Sequence, residues 1–344
     1  MINSSKQEKL LTVFVPTYNR DIRLRECLRS IGSIIIGLNL QESVCILISN
    51  NGSTDNTSEI CRIEEEELSK LGITARTIHN DQNLGFSMNV FNGLSKFQSE
   101  YIFMMSDDDN LIEDSFAELL REIQVSSPDF LYCNFDQYPY GKDNPKIIQR
   151  EHFMGTPDYL GVRTLIEWPK MTGIVIRKKS IEDINTEIKE ICRNCNYFPH
   201  VIIAMLLYLR GNKFLKSTSF IAKPDEDYLD HLDFVPYVGD YLVPELSYFL
   251  NIHDVNNPAL IDLIESRRST RIVDTSLSWL TKESLGNIRI SVSVKKILRR
   301  NIRDFLIGRK VNEEGFELET ANPRLLLKTL KYIFSRGIRS ICSK

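Results

Sequence analysis

The sequence lacks long hydrophobic segments. No apolar run in its 344 residues approaches the roughly 18 residues that a helix needs to cross a bilayer. The N-terminus also lacks the cationic start, apolar run and small-residue cleavage site that together mark a secretory signal. From these absences we expect a cytoplasmic protein.

Cysteine is sparse and odd in number. The chain has seven cysteines spread over its length, which favours reduced thiols over a disulfide framework. Cys192 and Cys195 form one C-x-x-C pair near His200. A second pair of ligands at matching spacing is missing, so a structural zinc site is disfavoured.

Net charge is small but unevenly distributed. The whole chain carries −3, whereas residues 291–344 hold 13 lysines and arginines against five acidic residues. The cationic amphipathic stretches 295–303 and 324–334 are typical of helices that lie on anionic membrane surfaces, although ordinary surface helices are the alternative. Aromatic residues are rare along them, which argues against nucleic-acid binding.

Short β-rich runs alternate with helical stretches in the first part of the chain. Strands are predicted at 11–16, 44–49, 74–79, 101–105 and 130–133. Helices are predicted between them at 21–36, 55–70, 87–98 and 113–124. This alternation predicts an α/β fold with a mostly parallel central sheet flanked by helices.

Three domains are predicted along the chain, at 1–135, 136–235 and 236–344. The second is mixed: a helix begins near residue 156, strands lie at 174–176 and 214–222, and helices lie at 180–192 and 199–210. The third is helical and basic.

Polar residues follow the predicted strands. Because ligands of parallel sheets collect at the carboxyl ends of the strands, we expect these loops to converge. The loops are 17–20, 50–55, 80–85 and the acidic run 106–109. In that run, Asp107, Asp108 and Asp109 repel one another unless a cation compensates them, which suggests a divalent metal that holds a phosphate. Solvated turns and helix caps are the alternative for such triplets.

Taken together and in order, these motifs resemble the family 2 glycosyltransferases of the GT-A fold. The resemblance covers about residues 10–125 and rests on four segments: Pro16 to Arg20, Asn50 to Asp55, Asn83 with Gly85 and Asn89, and Asp107 to Leu111.

The resemblance implies a GT-A nucleotide-diphospho-sugar transferase fold and an inverting, metal-dependent glycosyltransferase. Such an enzyme moves a hexosyl or deoxyhexosyl group from a nucleotide-diphosphate sugar to a hydroxyl of a saccharide acceptor, as in bacterial polysaccharide or O-antigen assembly. We expect the acceptor saccharide to be linked to a polyprenyl diphosphate. We also expect the protein to bind peripherally to the inner face of the cytoplasmic membrane.

The resemblance also implies roles for the domains and for individual residues. Residues 1–135 would be the nucleotide-sugar-binding half of the GT-A fold, and residues 136–235 the acceptor-binding and catalytic half. Asp107 and Asp109 are expected to hold a Mg²⁺ or Mn²⁺ ion. The residues expected to bind the nucleotide sugar are Pro16, Thr17, Tyr18, Arg20, Asn50, Asn51, Asn83, Gly85, Asn89, Asp107 and Asp108.

Three departures from the family pattern matter. Asn50 and Asn51 stand where relatives often have Asp; an amide can donate as well as accept, so a cytosine base becomes a candidate beside uracil, guanine and thymine. Met88 stands where many relatives have Arg. The negative charge of the diphosphate must then be neutralised by the metal or by Arg20, Lys216 or Lys223. Ser106 replaces the first carboxylate of one alignment of the acidic motif.

No acid stands where relatives place the catalytic base. His200 is the predicted substitute, because an imidazole accepts a proton near neutral pH; a structural histidine at a helix start is the alternative. Asp183, Glu187 and Glu190 are less favoured.

Acceptor binding is predicted for three residues that precede the strand at 174–176. They are Trp168, Thr172 and Gly173. Trp168 and also Tyr197 are candidates to stack on a sugar ring, with core packing as the alternative.

Other functions are weighed against these motifs. A nucleotidyltransferase requires a glycine-rich loop after the first strand, and Pro16 to Arg20 contains no glycine. A processive synthase requires membrane spans and a Q-x-x-R-W box, which the sequence lacks. A non-catalytic nucleotide-sugar-binding protein remains an alternative.

Overall fold

A mixed β-sheet with helices on both faces organises the part of the chain that the structure describes. The structure is a computed structural model, and it describes residues 8–134, 153–155, 170–195 and 197–224. Trp168, the helix predicted near residue 156 and the predicted helical region 236–344 lie outside the described residues. The three-domain division stays a prediction.

The strands and helices are numbered in chain order. The strands are β1 (Leu11–Thr17), β2 (Val44–Asn50), β3 (Thr74–His79), β4 (Tyr101–Met104), β5 (Asp109–Leu111), β6 (Phe130–Asn134), β7 (Phe153–Gly155), β8 (Ile174–Arg177), β9 (Phe214–Phe220) and β10 (Ala222–Pro224). The helices are α1 (Asp21–Gly37), α2 (Thr57–Lys70), α3 (Phe86–Lys96), α4 (Glu113–Ser126), α5 (Lys178–Glu182), α6 (Asn185–Asn194) and α7 (Pro199–Leu209).

The alternation predicted for the first part of the chain is confirmed. β1 to β4 and α1 to α4 all begin and end within about two residues of their predicted bounds, because hydrophobic periodicity is a local signal. The short strand β5 was not predicted. The single helix predicted at 180–192 is two helices, since Ile184 takes a non-helical φ of −116° between them and is buried.

The large sheet has the strand order β3-β2-β1-β4-β8-β6-β9-β7. The first four strands in this order run parallel to one another, as predicted. β8 then runs antiparallel to both β4 and β6, so the sheet is parallel in its first half and mixed in its second.

Strand β1 packs on both faces because its side chains alternate. Leu11, Val13 and Val15 are fully buried in the core cluster that includes residues of α1, α2 and α4. Phe14 contacts α3 on the opposite face: a Cβ added to Gly93 would lie 2.2 Å from the Phe14 ring. Glycine at this position lets the helix approach the sheet closely. Burying each large apolar side chain contributes about 1.5–3 kcal/mol.

A second, two-stranded sheet extends the acidic run. β5 begins at Asp109 and pairs antiparallel with β10, so that Asn110 lies opposite Lys223. This pairing brings the backbone of a residue more than a hundred positions away to the carboxyl edge of the large sheet. Within the described residues, no helix has the length and apolar character needed to span a membrane.

Candidate active site

Four polar loops meet at one edge of the sheet. β1 pairs in parallel with β2 and β4, and β2 pairs in parallel with β3. The carboxyl ends of these strands, at Thr17, Asn50, His79 and Met104, therefore share one edge. The predicted convergence of the loops is confirmed, and it forms a crevice where parallel sheets bind ligands.

The outer two aspartates of the acidic run are buried and bound by threonine hydroxyls. Asp107 and Asp109 are each 5% exposed. Thr17 Oγ1 donates a hydrogen bond of 2.7 Å to Asp107 Oδ2, and Thr172 Oγ1 donates one of 2.5 Å to Asp109 Oδ2. The two carboxylates are thus directed to different parts of the sheet edge.

Two arginines at the start of α1 face the middle aspartate. Arg20 Nη1 lies 2.9 Å from Asp108 Oδ2 and 3.4 Å from Asp107 Oδ1. Arg23 Nη1 lies 4.0 Å from Asp108 Oδ2, and the Ser106 hydroxyl donates to Asp108 Oδ1 at 2.5 Å. Asp108 is therefore neutralised within the protein.

Burial and charge set the pKa values of the three carboxyls. Burial is the main reason that the pKa of Asp107 is raised to about 6, against the attraction of Arg20. Burial likewise raises the pKa of Asp109 to about 7, against the attraction of Lys170. Burial also acts to raise the pKa of Asp108, but its hydrogen bonds and the charge of Arg20 outweigh burial and lower it. The outer carboxylates thus favour an additional cation.

Asn51 fastens the loop after β3 to the end of β2. Asn51 is 3% exposed. Its Nδ2 donates to Asn83 Oδ1 at 2.8 Å and to the Gly85 carbonyl at 3.3 Å. Its Oδ1 accepts from Asn80 Nδ2 at 3.1 Å and from the Leu84 N–H at 3.0 Å. The amide therefore uses both its donors and both its acceptor positions on the protein itself.

Asn89 ties α3 to β2 in the same way. Its Oδ1 accepts from the Ser49 hydroxyl at 2.6 Å and from Asn80 Nδ2 at 3.2 Å, and its Nδ2 donates to the Ser49 carbonyl at 3.0 Å. Asn92 Nδ2 donates to Asn80 Oδ1 at 2.8 Å. We call the linked side chains of Asn51, Asn80, Asn83, Asn89 and Asn92 the amide cluster.

Asn50 is buried beside the amide cluster. Its Oδ1 accepts from the Ser53 N–H at 3.2 Å, and its Nδ2 donates to the Ser58 hydroxyl at 2.8 Å. Asn50 Nδ2 also lies 3.4 Å from His79 Nδ1. A base contact from this amide stays a prediction, and it would require Asn50 to exchange one of these partners.

The turn after β1 is shaped by backbone conformation. Pro16 lies inside β1, and Tyr18 just after it is 39% exposed. Asn19 takes a left-handed φ of 53°. Gly52 has φ 68°, and a Cβ there would lie 2.3 Å from the backbone of the loop after β3. The loops are in close contact, and Tyr18 has ring surface available for a ligand.

His200 lies in the first turn of α7 and is buried. It is 2% exposed. Its ring centroid lies 6.4 Å from that of Phe86 and 6.1 Å from that of Phe198. Phe86 begins α3, so His200 is near the loop that carries Gly85. These contacts match the structural alternative, and the catalytic role stays a prediction.

The structure places two of the predicted acceptor residues against the acidic run. Thr172 is 1% exposed and its hydroxyl bonds to Asp109. The Gly173 N–H donates to the Met104 carbonyl at 3.2 Å, at the end of β4. Trp168, the third, lies outside the described residues.

Sequence reasoning missed two kinds of residue at this edge. Lys170 lowers the pKa of Asp109 by its charge; its position two residues before Thr172 was the available signal. Asn80 and Asn92 belong to the amide cluster. Asn80 lies in the predicted loop 80–85 but was given no role of its own, and only the density of asparagine around Gly85 pointed to Asn92. The side chains of Lys216 and Lys223, predicted as cations for the diphosphate, lie outside the described part.

The model of glycosyl transferase family 2 matches residues 12–184, which is half of the chain. The abequosyltransferase RfbV of Salmonella typhimurium is 33% identical over 125 residues, covering 36% of this chain and 35% of that protein. The glycosyltransferase GlyG of Streptococcus pneumoniae is 26% identical over 136 residues, covering 40% of this chain and 42% of that protein. The chain spans less than half the length of these curated relatives.

Solved structures share the fold. S. aureus TarS 1–349 aligns with a TM-score of 0.51 and 14% identity over 91% of this chain and 97% of that chain. The mannosyltransferase PcManGT from Pyrobaculum calidifontis, in complex with GDP-Man and Mn²⁺, aligns with a TM-score of 0.54 and 13% identity over 87% of this chain and 86% of that chain. The predicted GT-A fold is confirmed. From the family match and this fold, we conclude that the chain belongs to glycosyl transferase family 2.

Proposed function

We propose that the protein is an inverting, metal-dependent glycosyltransferase that moves a sugar from a nucleotide-diphosphate donor to a hydroxyl of a saccharide acceptor. The observation that carries this proposal is the pair of buried carboxylates, Asp107 and Asp109, at the edge where the loops after β1 and β2 also end. The membership in family 2 supports it. Structures of the same fold contain UDP, UDP-GlcNAc, or GDP-Man with Mn²⁺.

The residues present fit a Mg²⁺ or Mn²⁺ ion that is shared with the donor. Among the described residues, no group of three or more His, Cys, Asp or Glu side chains is placed to hold a metal ion. Mg²⁺ is commonly bound by one or two carboxylates together with substrate phosphates, and the acidic run offers oxygen ligands only. Asp109, with Asp107 beside it, would hold the ion, which stabilises the charge that develops on the departing nucleoside diphosphate.

The protein's own residues orient the donor. Arg20 provides a cation beside Asp107 and Asp108, and it can attract the diphosphate in the same place. Tyr18 provides an exposed ring at the end of β1. Thr17 fixes Asp107, one of the residues expected to bind the nucleotide sugar. Because Asn50 and Asn51 are uncharged, the base held at this site can differ from that of relatives with Asp; a contact from Asn50 would require it to exchange one of its protein partners.

The acceptor and the base complete the proposal. We propose a polyprenyl-diphosphate-linked saccharide acceptor, in polysaccharide or O-antigen assembly, with the basic segment 291–344 on an anionic membrane. Sedimentation with anionic liposomes at low salt tests the membrane contact, and retention in the supernatant contradicts it. His200 is the proposed base. Because its side chain is buried, it must become exposed before it can reach an acceptor hydroxyl.

A non-catalytic nucleotide-sugar-binding protein is the second candidate. Its supporting observation is that His200, the residue proposed as the base, is 2% exposed and has little direct access to an acceptor. Such a protein would bind the donor with a metal ion but would show no turnover.

Donor hydrolysis separates these functions. The purified full chain is incubated with UDP-, GDP-, CDP- and dTDP-sugars in Mn²⁺, Mg²⁺ or EDTA, and release of the nucleoside diphosphate is measured. We expect one nucleotide class to be hydrolysed with metal and not with EDTA. Binding without hydrolysis or transfer supports the second candidate. A chain that neither binds nor hydrolyses any donor contradicts both.

A further inference from the structure

The Thr172 hydroxyl joins the two ends of the acidic run. It donates to Asp109 Oδ2 at 2.5 Å and accepts from the backbone N–H of Ser106 at 2.9 Å. Thr172 stands 63 residues beyond Asp109 in the chain. One buried hydroxyl therefore fixes the backbone at the start of the run and the side chain at its end.

The turn that carries Thr172 is itself held in place. The Gly173 N–H donates to the Met104 carbonyl at 3.2 Å, and the Gly173 carbonyl accepts from the Cys133 N–H at 2.8 Å. Gly173 has a left-handed φ of 95°, and a Cβ there would lie 3.1 Å from Ile221. Backbone bonds to two strands and close packing leave Thr172 little room to move away from Asp109.

The hydrogen bond from Thr172 also distinguishes the two oxygens of Asp109. Within the part of the chain that the structure describes, Asp109 receives one side-chain hydrogen bond, from Thr172, and it goes to Oδ2. Asp107 and Asp108 differ, because each directs both of its carboxylate oxygens at other side chains. Asp109 is thus the member of the triplet with a carboxylate oxygen, Oδ1, left for a ligand.

We propose that Thr172 is a positioning residue for the divalent cation. Its hydroxyl orients Asp109 so that the Oδ1 atom would be available to hold Mg²⁺ or Mn²⁺. This inference rests on the proposed function and assigns Thr172 to the donor side of the reaction, instead of the acceptor side predicted from the sequence. Its 1% exposure agrees with that assignment.

The expected effect follows from comparable metal sites. A group that hydrogen-bonds to a metal-binding side chain fixes its orientation, and loss of such a group typically weakens metal binding by about 10–100-fold. Replacing Thr172 by Val keeps the shape of the side chain but removes both hydrogen bonds. Replacing it by Ser keeps both bonds and removes a methyl group.

The test measures Mn²⁺ binding to the full chain. Free Mn²⁺ is followed by electron paramagnetic resonance with a mixture of UDP, CDP, GDP and dTDP present, and the nucleotide-only background is subtracted. We expect Thr172→Val to weaken Mn²⁺ binding at least about tenfold and Thr172→Ser to stay close to the unmodified protein. Thermal unfolding of each variant checks folding. If the valine variant does not fold, the comparison of Thr172→Ala with Thr172→Ser decides.

The outcomes separate this inference from the proposed function. If Thr172→Val and Thr172→Ala bind Mn²⁺ like the unmodified chain while Asp109→Asn does not, the positioning role is wrong and the proposed function stands. A serine variant as weak as the valine variant also overturns the role, because packing of the methyl group then explains the loss. If Asp109→Asn binds Mn²⁺ as well as the unmodified chain, the metal site itself is wrong and both proposals fail.

Discussion

The acidic run and the amide cluster lie at the same edge of one sheet, yet their polar groups are arranged in opposite ways. In the acidic run, Asp107 and Asp109 are buried carboxylates with raised pKa values. In the amide cluster, Asn51 and its neighbours bond mainly to one another and to nearby backbone. The first region has charge that an incoming cation can stabilise, and the second has almost no bonding capacity left over.

This difference teaches what each region contributes. Neutral amides that satisfy one another hold the loop after β3 in place without requiring a ligand. Buried like charges are unfavourable alone and become favourable when a cation arrives. We therefore expect changes in the acidic run to affect turnover more than folding, and changes in the amide cluster to affect folding first.

Asp109→Asn should have the largest effect. An amide cannot compensate a divalent cation, so we expect sugar transfer to fall by at least about 100-fold. The free energy of unfolding should stay the same or rise, because a buried carboxylate is removed. Steady-state kinetics in Mn²⁺ and urea denaturation measure the two quantities.

Asp107→Asn is the matched control. Both oxygens of Asp107 already face protein groups, Thr17 and Arg20, so we expect a smaller loss of transfer than for Asp109. An equal or larger loss would show that the two outer aspartates do not differ in the way their hydrogen bonds indicate.

Asn51→Ala should come next and should act on stability. It removes four hydrogen bonds and leaves buried groups of the loop without partners. We expect the free energy of unfolding to fall by about 2 kcal/mol or more, measured by urea denaturation. We expect donor binding to weaken only in proportion to the loss of order in the loop after β3. A variant that is fully stable but cannot bind donor would instead indicate direct contact between Asn51 and the nucleotide.

Arg20→Gln should have an intermediate effect on turnover. Glutamine can keep one hydrogen bond to Asp108 but lacks the charge, so we expect kcat/KM to fall about tenfold. Arg23→Gln is the control, since Arg23 Nη1 is 4.0 Å from Asp108, and it should show a smaller decrease. Equal decreases in the two variants would mean that Arg20 acts through general charge and not through its closer contact.

Asn92→Ala should have the smallest effect. Its side chain donates one hydrogen bond, to Asn80, at the margin of the amide cluster. We expect a loss of about 0.5–1.5 kcal/mol in the free energy of unfolding and an unchanged KM for the donor. A loss as large as that of Asn51→Ala would show that the amide cluster is stabilised as a unit, whereas a changed KM would place Asn92 at the nucleotide.

Much of the structure of residues 11–126 was predictable from local patterns. The alternation of β-rich runs and amphipathic stretches predicted β1 to β4 and α1 to α4 closely, because burial on a sheet or helix face imposes a period on neighbouring residues. Parallel pairing then required the loops after Thr17, Asn50 and His79 to share an edge. The resemblance to family 2 glycosyltransferases rests on residues in these same loops. It added the expectation that the loops bind a nucleotide sugar.

The remainder depended on contacts between residues far apart in the chain. Thr172 bonds to Asp109 across 63 positions, and β10 pairs with β5 across more than a hundred positions. The hydrophobic periodicity of neighbouring residues carries no information about either contact. His200 was chosen by its spacing, but its burial between aromatic rings follows from the packing of α3 and α7.

The amino-acid order alone determined that carboxylates and amides would gather at the ends of parallel strands, since side-chain type and strand period are written into it. Only the folded chain decided which of these groups bond to each other and which keep an atom for a ligand. Asn51 and Asp109 illustrate the reason: hydrogen-bond partners depend on distances between separate segments, and packing sets those distances.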